Sequence, residues 1–254
     1  MRARVYGPGL SGSAGVQVEI GAFIVAAAAV SVGSVVQGAV GFGLNLLAAP
    51  FVALVVPEAL PAMVMVALPL AVSTVRREHH AVEWRPLRWM LLGAVPGTLI
   101  GLAIVGEVDT SQLAVVVGTV TLAGVALSVL SSPIPVTAGT SLAAGFFSNV
   151  FGTASSVGGP PVALLFQHRQ GPVTRSTLGG FFATSAVMSL AGYVATGTVT
   201  ADQVLFAATL APFMVGGLWA SRHLHPFVDA GWLRPAVLTL SAIAGMAAIA
   251  RVVL

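Results

Sequence analysis

Gln37-Gly38-Ala39-Val40-Gly41-Phe42-Gly43-Leu44-Asn45 interrupts one apolar run. Ser148-Asn149-Val150-Phe151-Gly152-Thr153-Ala154-Ser155-Ser156-Val157-Gly158-Gly159-Pro160-Pro161 interrupts another in the second half of the chain. Both stretches mix glycines, which permit unusual backbone angles and close approach, with neutral hydrogen-bonding side chains. Neither contains Asp, Glu, Arg or Lys. Pro160 and Pro161 suit the first turn of a helix, where a missing N–H costs nothing. The two stretches read as paired breaks in membrane helices.

The composition around them supports that reading. Of 254 residues, 57% are apolar and only 7% charged, against about 25% charged in an ordinary soluble domain. Mean hydropathy is +0.97. So few charges cannot coat a soluble globule, which excludes soluble enzymes and disordered tails. Eleven arginines against eight acidic residues give a net charge of +3. The pI near 10.6 thus reflects a small surplus, not a nucleic-acid-binding surface, and no nucleic-acid partner is expected. The lack of cysteine excludes disulfides, thiol catalysis and thiolate metal sites. Lipid is the expected solvent for most of the surface.

Lipid offers the backbone no hydrogen bonds, so spans are helices or a closed barrel. Long apolar runs without period-two alternation reject the barrel. Ten segments follow, at about 20–37, 42–56, 61–75, 88–105, 112–130, 137–150, 158–168, 176–197, 204–221 and 235–253. At 1.5 Å per residue the longest reaches about 33 Å, whereas 42–56 reaches about 22 Å and 158–168 about 16 Å. The short pieces read as halves of hairpins that turn within the membrane. The expected fold is an all-α polytopic membrane protein with about 8–10 membrane helices, two of the hairpins broken or re-entrant. The run from 20 continues into a break that resembles the later one, which favours a span over a signal peptide.

Arginine placement gives orientation. Arg76, Arg77, Arg85 and Arg88 share one loop, Arg169 and Arg175 a second, Arg222 and Arg234 a third. Loops 106–111 and 198–203 carry Glu107, Asp109 and Asp202 but no base. The positive-inside rule puts the arginine loops in the cytoplasm and both termini outside, with Arg2, Arg4 and Arg251 as the exceptions. Trp84, Trp89 and Trp232 flank the cytoplasmic loops as interfacial anchors.

The halves also match in order. Gly38 corresponds to Gly152, and Pro57-Glu58 to Gly171-Pro172. Ala94-Val95-Pro96 with Gly101 corresponds to Ala211-Pro212 with Gly217, and Val108-Asp109 to Val228-Asp229. Five segments per half make the second half enter from the opposite face, an inverted repeat of the kind found in secondary transporters. The expected organisation is an N-terminal segment 1–19, a first repeat 20–130, a linker 131–136 and a second repeat 137–254.

In that plan a substrate binds where the two breaks meet. Half-helix starts present N–H groups that attract anions, and carboxylates suited to a cation are missing. The candidate binding residues are Gln37, Gly38, Gly41, Phe42, Gly43 and Asn45 in the first break. In the second they are Asn149, Thr153, Ser155, Ser156, Gly158, Gly159 and Pro160. Arg169 and Arg175 border the second hairpin and are candidates for a vestibule that draws anions in; topology alone also accounts for them.

Other features read as structure. Gly93, Gly97 and Gly101 form a small-residue face for tight helix contact around Pro96, which with Pro212 is expected to kink its helix. Glu78, His79 and His80, or His223 and His225, lie in arginine-bearing loops and are not expected to hold a metal. Glu19 and Glu58 read as exposed loop carboxylates. No cofactor is expected.

The break from Gln37 to Gly43 with Pro50, the Gly-Gly-Pro-Pro run at 158–161, and Gly171-Pro172 with Arg175 resemble the TauE/SafE family of bacterial inner-membrane transporters. The resemblance covers nearly the whole chain from about residue 20. Gln37, Gly38, Gly41, Gly43, Asn149, Gly158, Gly159 and Pro160 match its two signature regions. It implies carriage of sulfite, organosulfonates or related small organic anions, with no catalytic residue. The expected partners are a small anionic substrate and the lipid bilayer; composition leaves a homo-oligomer open. The competing function is a membrane-embedded enzyme acting on lipid or a small substrate. That chemistry needs a His or carboxylate at the depth of Ser155 and Ser156, and none is expected there.

Overall fold

The computed structural model describes residues 19–130, 134–228 and 233–253. They form ten α-helices: α1 (Ile20–Val40), α2 (Leu44–Val55), α3 (Leu60–Glu78), α4 (Trp84–Glu107), α5 (Thr110–Leu130), α6 (Ala138–Ser155), α7 (Gly159–Phe166), α8 (Gly171–Ala195), α9 (Ala201–Val228) and α10 (Leu233–Val253). No strand occurs among the described residues. Arg2, Arg4 and Trp232 lie outside them, as do the side chains of His223, His225 and Arg234.

Each of the ten expected segments corresponds to a helix, with one systematic difference. The breaks are shorter than their polar composition suggests. Gln37 to Val40 continue α1, and Ser148 to Ser155 continue α6, so only Gly41 to Gly43 and Ser156 to Gly158 leave the helix. A glycine inside a helix costs only about 1 kcal/mol, which close packing readily offsets. The helix stops where the backbone turns left-handed, at Gly41 (φ 98°) and Ser156 (φ 64°).

Among the described residues six helical stretches are long and apolar enough to cross a membrane: Ile20–Val40, Pro57–Ala81, Trp84–Glu107, Gln112–Val129, Gly171–Ala195 and Ala201–Arg222. By contrast α2 and α7 would reach only about 18 Å and 12 Å, short of a hydrocarbon core of about 30 Å. They are also mostly buried: Leu44, Leu47, Ala48 and Val52 in α2, and every residue from Pro160 to Phe166 in α7. Protein, not lipid, surrounds them. Leu92, Val95, Leu99 and Ile100 of α4 point outward instead, as do Val215 and Trp219 of α9. Lipid is the solvent that tolerates such faces.

The helices pack as α1 on α9, α4 on α6, α3 on α8 and α5 on α10. One apolar core joins α1, α2 and α3 to α9, through Val30, Leu47, Met63 and Leu210. Another joins α6, α7 and α8 to α4, through Ala144, Phe166, Phe181 and Met90. Each trio of helices thus closes around one helix from the other half. Glycines make both crossings tight. On α4, Gly93, Gly97 and Gly101 face the α6 backbone, where a Cβ on Gly101 would stand 2.6 Å from the Thr153 Cβ. On the α1–α9 seam, Gly217 faces the Ser31 backbone and Gly38 faces Ser221. Helices α4 and α9 run on through Pro96 and Pro212.

Candidate functional site

The first break is shaped by two glycines and a glutamine. Gly41 closes α1 in the left-handed region, its N–H donating to the Gln37 carbonyl at 2.8 Å. Gly43, at φ 122°, then starts α2 with no side chain to cap it. Gln37 supplies the cap from the preceding helix: its Oε1 accepts from the Leu44 N–H at 3.2 Å, satisfying one orphan donor of the new helix. That bond fixes the amide, so Nε2 is the free end.

The second break has the same outline with hydroxyls in place of glycine. Ser156 is the one non-glycine with positive φ among the described residues, and its Oγ donates to the Leu60 carbonyl at 3.0 Å. Ser148 Oγ donates to the Gly158 carbonyl across the turn. Ser155 Oγ donates to the Phe151 carbonyl at 2.8 Å and accepts from the Val157 N–H at 3.3 Å. The two breaks meet: a Cβ on Gly159 would lie 3.2 Å from Cδ2 of Phe42.

Between them lies a cavity of about 70 Å³, counted as space open to the centres of water molecules. A single water needs on the order of 10–15 Å³ on that scale, so the cavity has room for several waters or one small solute. Among the sequence-predicted residues, Gln37, Gly43, Asn45, Asn149, Ser156, Gly158 and Gly159 line it. The others stand around it in supporting positions. Gly38 faces Ser221, Gly41 faces the backbone of Arg175, and Pro160 packs near Gly124. Thr153 Oγ1 pairs with Ser189 Oγ at 2.7 Å, and the Thr153 carbonyl accepts from the Tyr193 hydroxyl. Ser155 is spent within its own turn, while Phe42 lines a smaller apolar cavity with Val36, Val40 and Leu238.

Helix α8 supplies five lining residues, Phe181, Phe182, Ser185, Ala186 and Ser189, and these escaped the sequence reading, as did the apolar Leu46, Val64 and Ala67. A signal was there. Phe181, Ser185 and Ser189 follow an i, i+4, i+8 spacing and so share a helix face, an uncommon place for two hydroxyls in a membrane span.

Among the described residues no ionisable side chain lines the cavity. Asn149 Nδ2 donates to the Ala94 carbonyl at 3.1 Å and to Thr98 Oγ1, tying α6 to α4. Asn45 Nδ2 reaches the Met63 carbonyl at 3.4 Å. Two buried polar atoms on the lining have no partner in the protein: Asn45 Oδ1 and Ser185 Oγ.

The two arginines lie elsewhere. Arg175 binds Glu78 through Nε at 3.1 and 3.2 Å and through Nη2 at 2.5 Å, while Nη1 donates to the Ala39 carbonyl at 3.4 Å. Arg169 lies 3.5 Å from Glu83, with both side chains partly exposed. Among the described residues no three His, Asp or Glu gather as metal ligands.

Such an arrangement can hold a small polar solute through hydrogen bonds and helix-end dipoles, without a counter-charge. Against known proteins, the family model described as Sulfite exporter TauE/SafE matches residues 25–248. Searches of curated proteins and of solved structures return no match.

Proposed function

The chain belongs to the sulfite exporter TauE/SafE family, a family of membrane transporters, and from that premise we propose that it carries a small anion, of the sulfite or organosulfonate type, by alternating access across the bacterial inner membrane. The observation that carries this reading is the charge-free cavity, edged by neutral amides and hydroxyls, at the meeting of two helix breaks. A carrier must bind its cargo and also release it. Neutral donors and half-helix dipoles favour an anion without the deep well that a buried arginine would create.

The packing supports the inverted repeat on which alternating access rests. Under the correspondence read from the sequence, α1 is the counterpart of α6, and α4 of α9. The α1–α9 and α4–α6 crossings are then the same contact made twice, and α3–α8 and α5–α10 are pairs of counterparts. The short buried α2 and α7 become the returning arms of two hairpins facing opposite sides. Rocking of one half against the other would expose the cavity to each side in turn. The arginine-bearing loops face the cytoplasm in this reading, and both termini face outward.

Reconstitution into proteoliposomes tests the reading. Radiolabelled sulfite, or a small sulfonate such as ethanesulfonate, is expected to enter down its gradient and to be displaced by unlabelled anion on either side. Absence of flux across a broad panel of sulfur oxyanions and carboxylates overturns it. Flux that persists undiminished in Gly159→Leu, which fills the contact with Phe42, removes the site from the cavity.

A further inference from the structure

The cavity offers more than a place for negative charge, because its free polar atoms are of two kinds. The bonds already made decide which ends are free. Gln37 accepts through Oε1, leaving the Nε2 protons. Asn149 has both Nδ2 protons engaged, by the Ala94 carbonyl and by Thr98 Oγ1. Thr98 gives its own proton to the Ala94 carbonyl at 2.9 Å and so must accept from Asn149. The Oδ1 of Asn149 is therefore the end left over. Asn45 donates to the Met63 carbonyl and leaves Oδ1 buried and unpartnered. Ser185, only 7% exposed, has a hydroxyl with no partner.

Two free donor groups, Gln37 Nε2 and Ser185 Oγ, with the second Nδ2 proton of Asn45, and two free acceptor oxygens thus border one space. A simple anion brings acceptors only. It would match Gln37 and Ser185 but leave the asparagine oxygens facing its negative charge, a cost comparable to that of an unmade buried hydrogen bond. A second charge adds further desolvation, and no cationic side chain lines the cavity to offset it. Arg175, the guanidinium beside the first break, is held by Glu78 and the Ala39 carbonyl.

Resting on the anion-transport reading above, we propose that the cavity is matched to a singly charged oxyanion that carries its own O–H or N–H group. The anion's oxygens take the protons of Gln37 Nε2 and Ser185 Oγ. Its own proton goes to Asn45 Oδ1, with Asn149 Oδ1 beside it on the lining. Selectivity then follows the substituent on the anion as much as its charge.

Three probes of similar length separate these features: 2-hydroxyethanesulfonate, ethanesulfonate and ethane-1,2-disulfonate. Their affinities for the purified full-length protein are measured by calorimetry in sodium-free buffer and again with sodium. The hydroxylated monoanion is expected to bind about tenfold more tightly than ethanesulfonate, the size of one buried hydrogen bond, and the disulfonate least well. In Asn45→Leu, with folding checked by size-exclusion profile, the ratio of the two monoanions is expected to fall to near one. Equal affinity of the two monoanions for the unaltered protein overturns the inference while leaving anion transport standing. An equally tight disulfonate overturns the single-charge requirement. Binding that needs sodium for every probe assigns the asparagine oxygens to a cation and also overturns it. Failure of all three probes, together with absence of sulfite flux, removes the transport reading itself.

Discussion

The two breaks solve one geometric problem with different chemistry. In each, a long helix ends in a left-handed residue, three residues later a short buried helix begins, and a side chain of α8 covers carbonyls at the end of the long helix. At the first break the left-handed residue is Gly41, and the cover is ionic: Arg175, neutralised by Glu78, reaches the Ala39 carbonyl. At the second the residue is Ser156, and the cover is neutral: Tyr193 donates to the Thr153 carbonyl, while the Ser156 hydroxyl ties the turn to the Leu60 carbonyl of α3. A guanidinium pointing at helix-end carbonyls suits the partial negative charge there. It is tolerated beside the arginine-rich loops, whereas a hydroxyl gives the same cover with no ion to desolvate. The difference teaches that backbone shape is common to the two breaks and the polar seal is local.

The largest expected effect breaks the shape itself. Gly41→Val places a β-branched residue at φ 98°, with its Cβ 2.8 Å from the Cα of Arg175. Left-handed strain of about 1–2 kcal/mol adds to a clash with backbone that no rotamer relieves. Loss of the folded, monodisperse protein on size exclusion is expected. A contrasting change at the other break, Gly152→Ala inside α6, puts a Cβ at an ordinary 3.4 Å from Gly158 and is expected to purify normally. If both variants behave alike, the glycines are not where the two breaks differ.

Next in size is the ionic seal. Arg175→Ala leaves the Glu78 carboxylate, only 23% exposed, without its partner and removes the donor to Ala39. A destabilisation of about 1–3 kcal/mol is expected, short of the cost at a fully buried pair. Glu78→Ala alone should cost a similar amount. The double variant should cost less than the sum, and additive losses in thermal unfolding would show that the two do not act as a unit. Tyr193→Phe, the corresponding change in the neutral seal, removes one hydrogen bond and is expected to cost about 1 kcal/mol. The ordering Arg175→Ala above Tyr193→Phe is the sharper test, since a reversed order makes the neutral seal the stronger one.

How far the sequence reaches follows the same division. Runs of apolar residues between arginines and glycines mark the ten helices of the described residues, because burial, in lipid for the long spans and in protein for α2 and α7, leaves a simple signature. The limits of the breaks were not legible. Gln37 and Ser148 look like loop residues by type, yet they sit in helices because close seams hold those helices against a neighbour: Gly217 against Ser31 on α1, and Gly97 against Phe146 on α6. Gln37, Asn45 and Asn149 stand on the cavity because their helices converge there. What each amide offers depended on distant partners: Leu44, Met63 and Thr98 decide which end of each is free. Ser185 and Ser189 were hidden in a span that otherwise reads as plain membrane helix. The seal at Arg175 was hidden for a related reason, since a positive loop residue and a buried ion-pair member look the same in one dimension.

The smallest effect probes the left-handed serine. Ser156 holds a conformation that costs a residue with a Cβ about 1 kcal/mol, and its hydroxyl returns a similar amount through the bond to Leu60. Ser156→Gly loses the bond but also loses the strain, though glycine adds flexibility to the unfolded chain. The net change should stay within about 1 kcal/mol. Ser156→Ala loses the same bond but keeps the strain, so it should be the less stable of the two by about 1 kcal/mol. Thermal unfolding of the two purified variants reads this difference directly. A glycine variant no more stable than the alanine variant would mean that the backbone at the second break is relaxed around its side chain. The two breaks would then differ in shape as well as in seal.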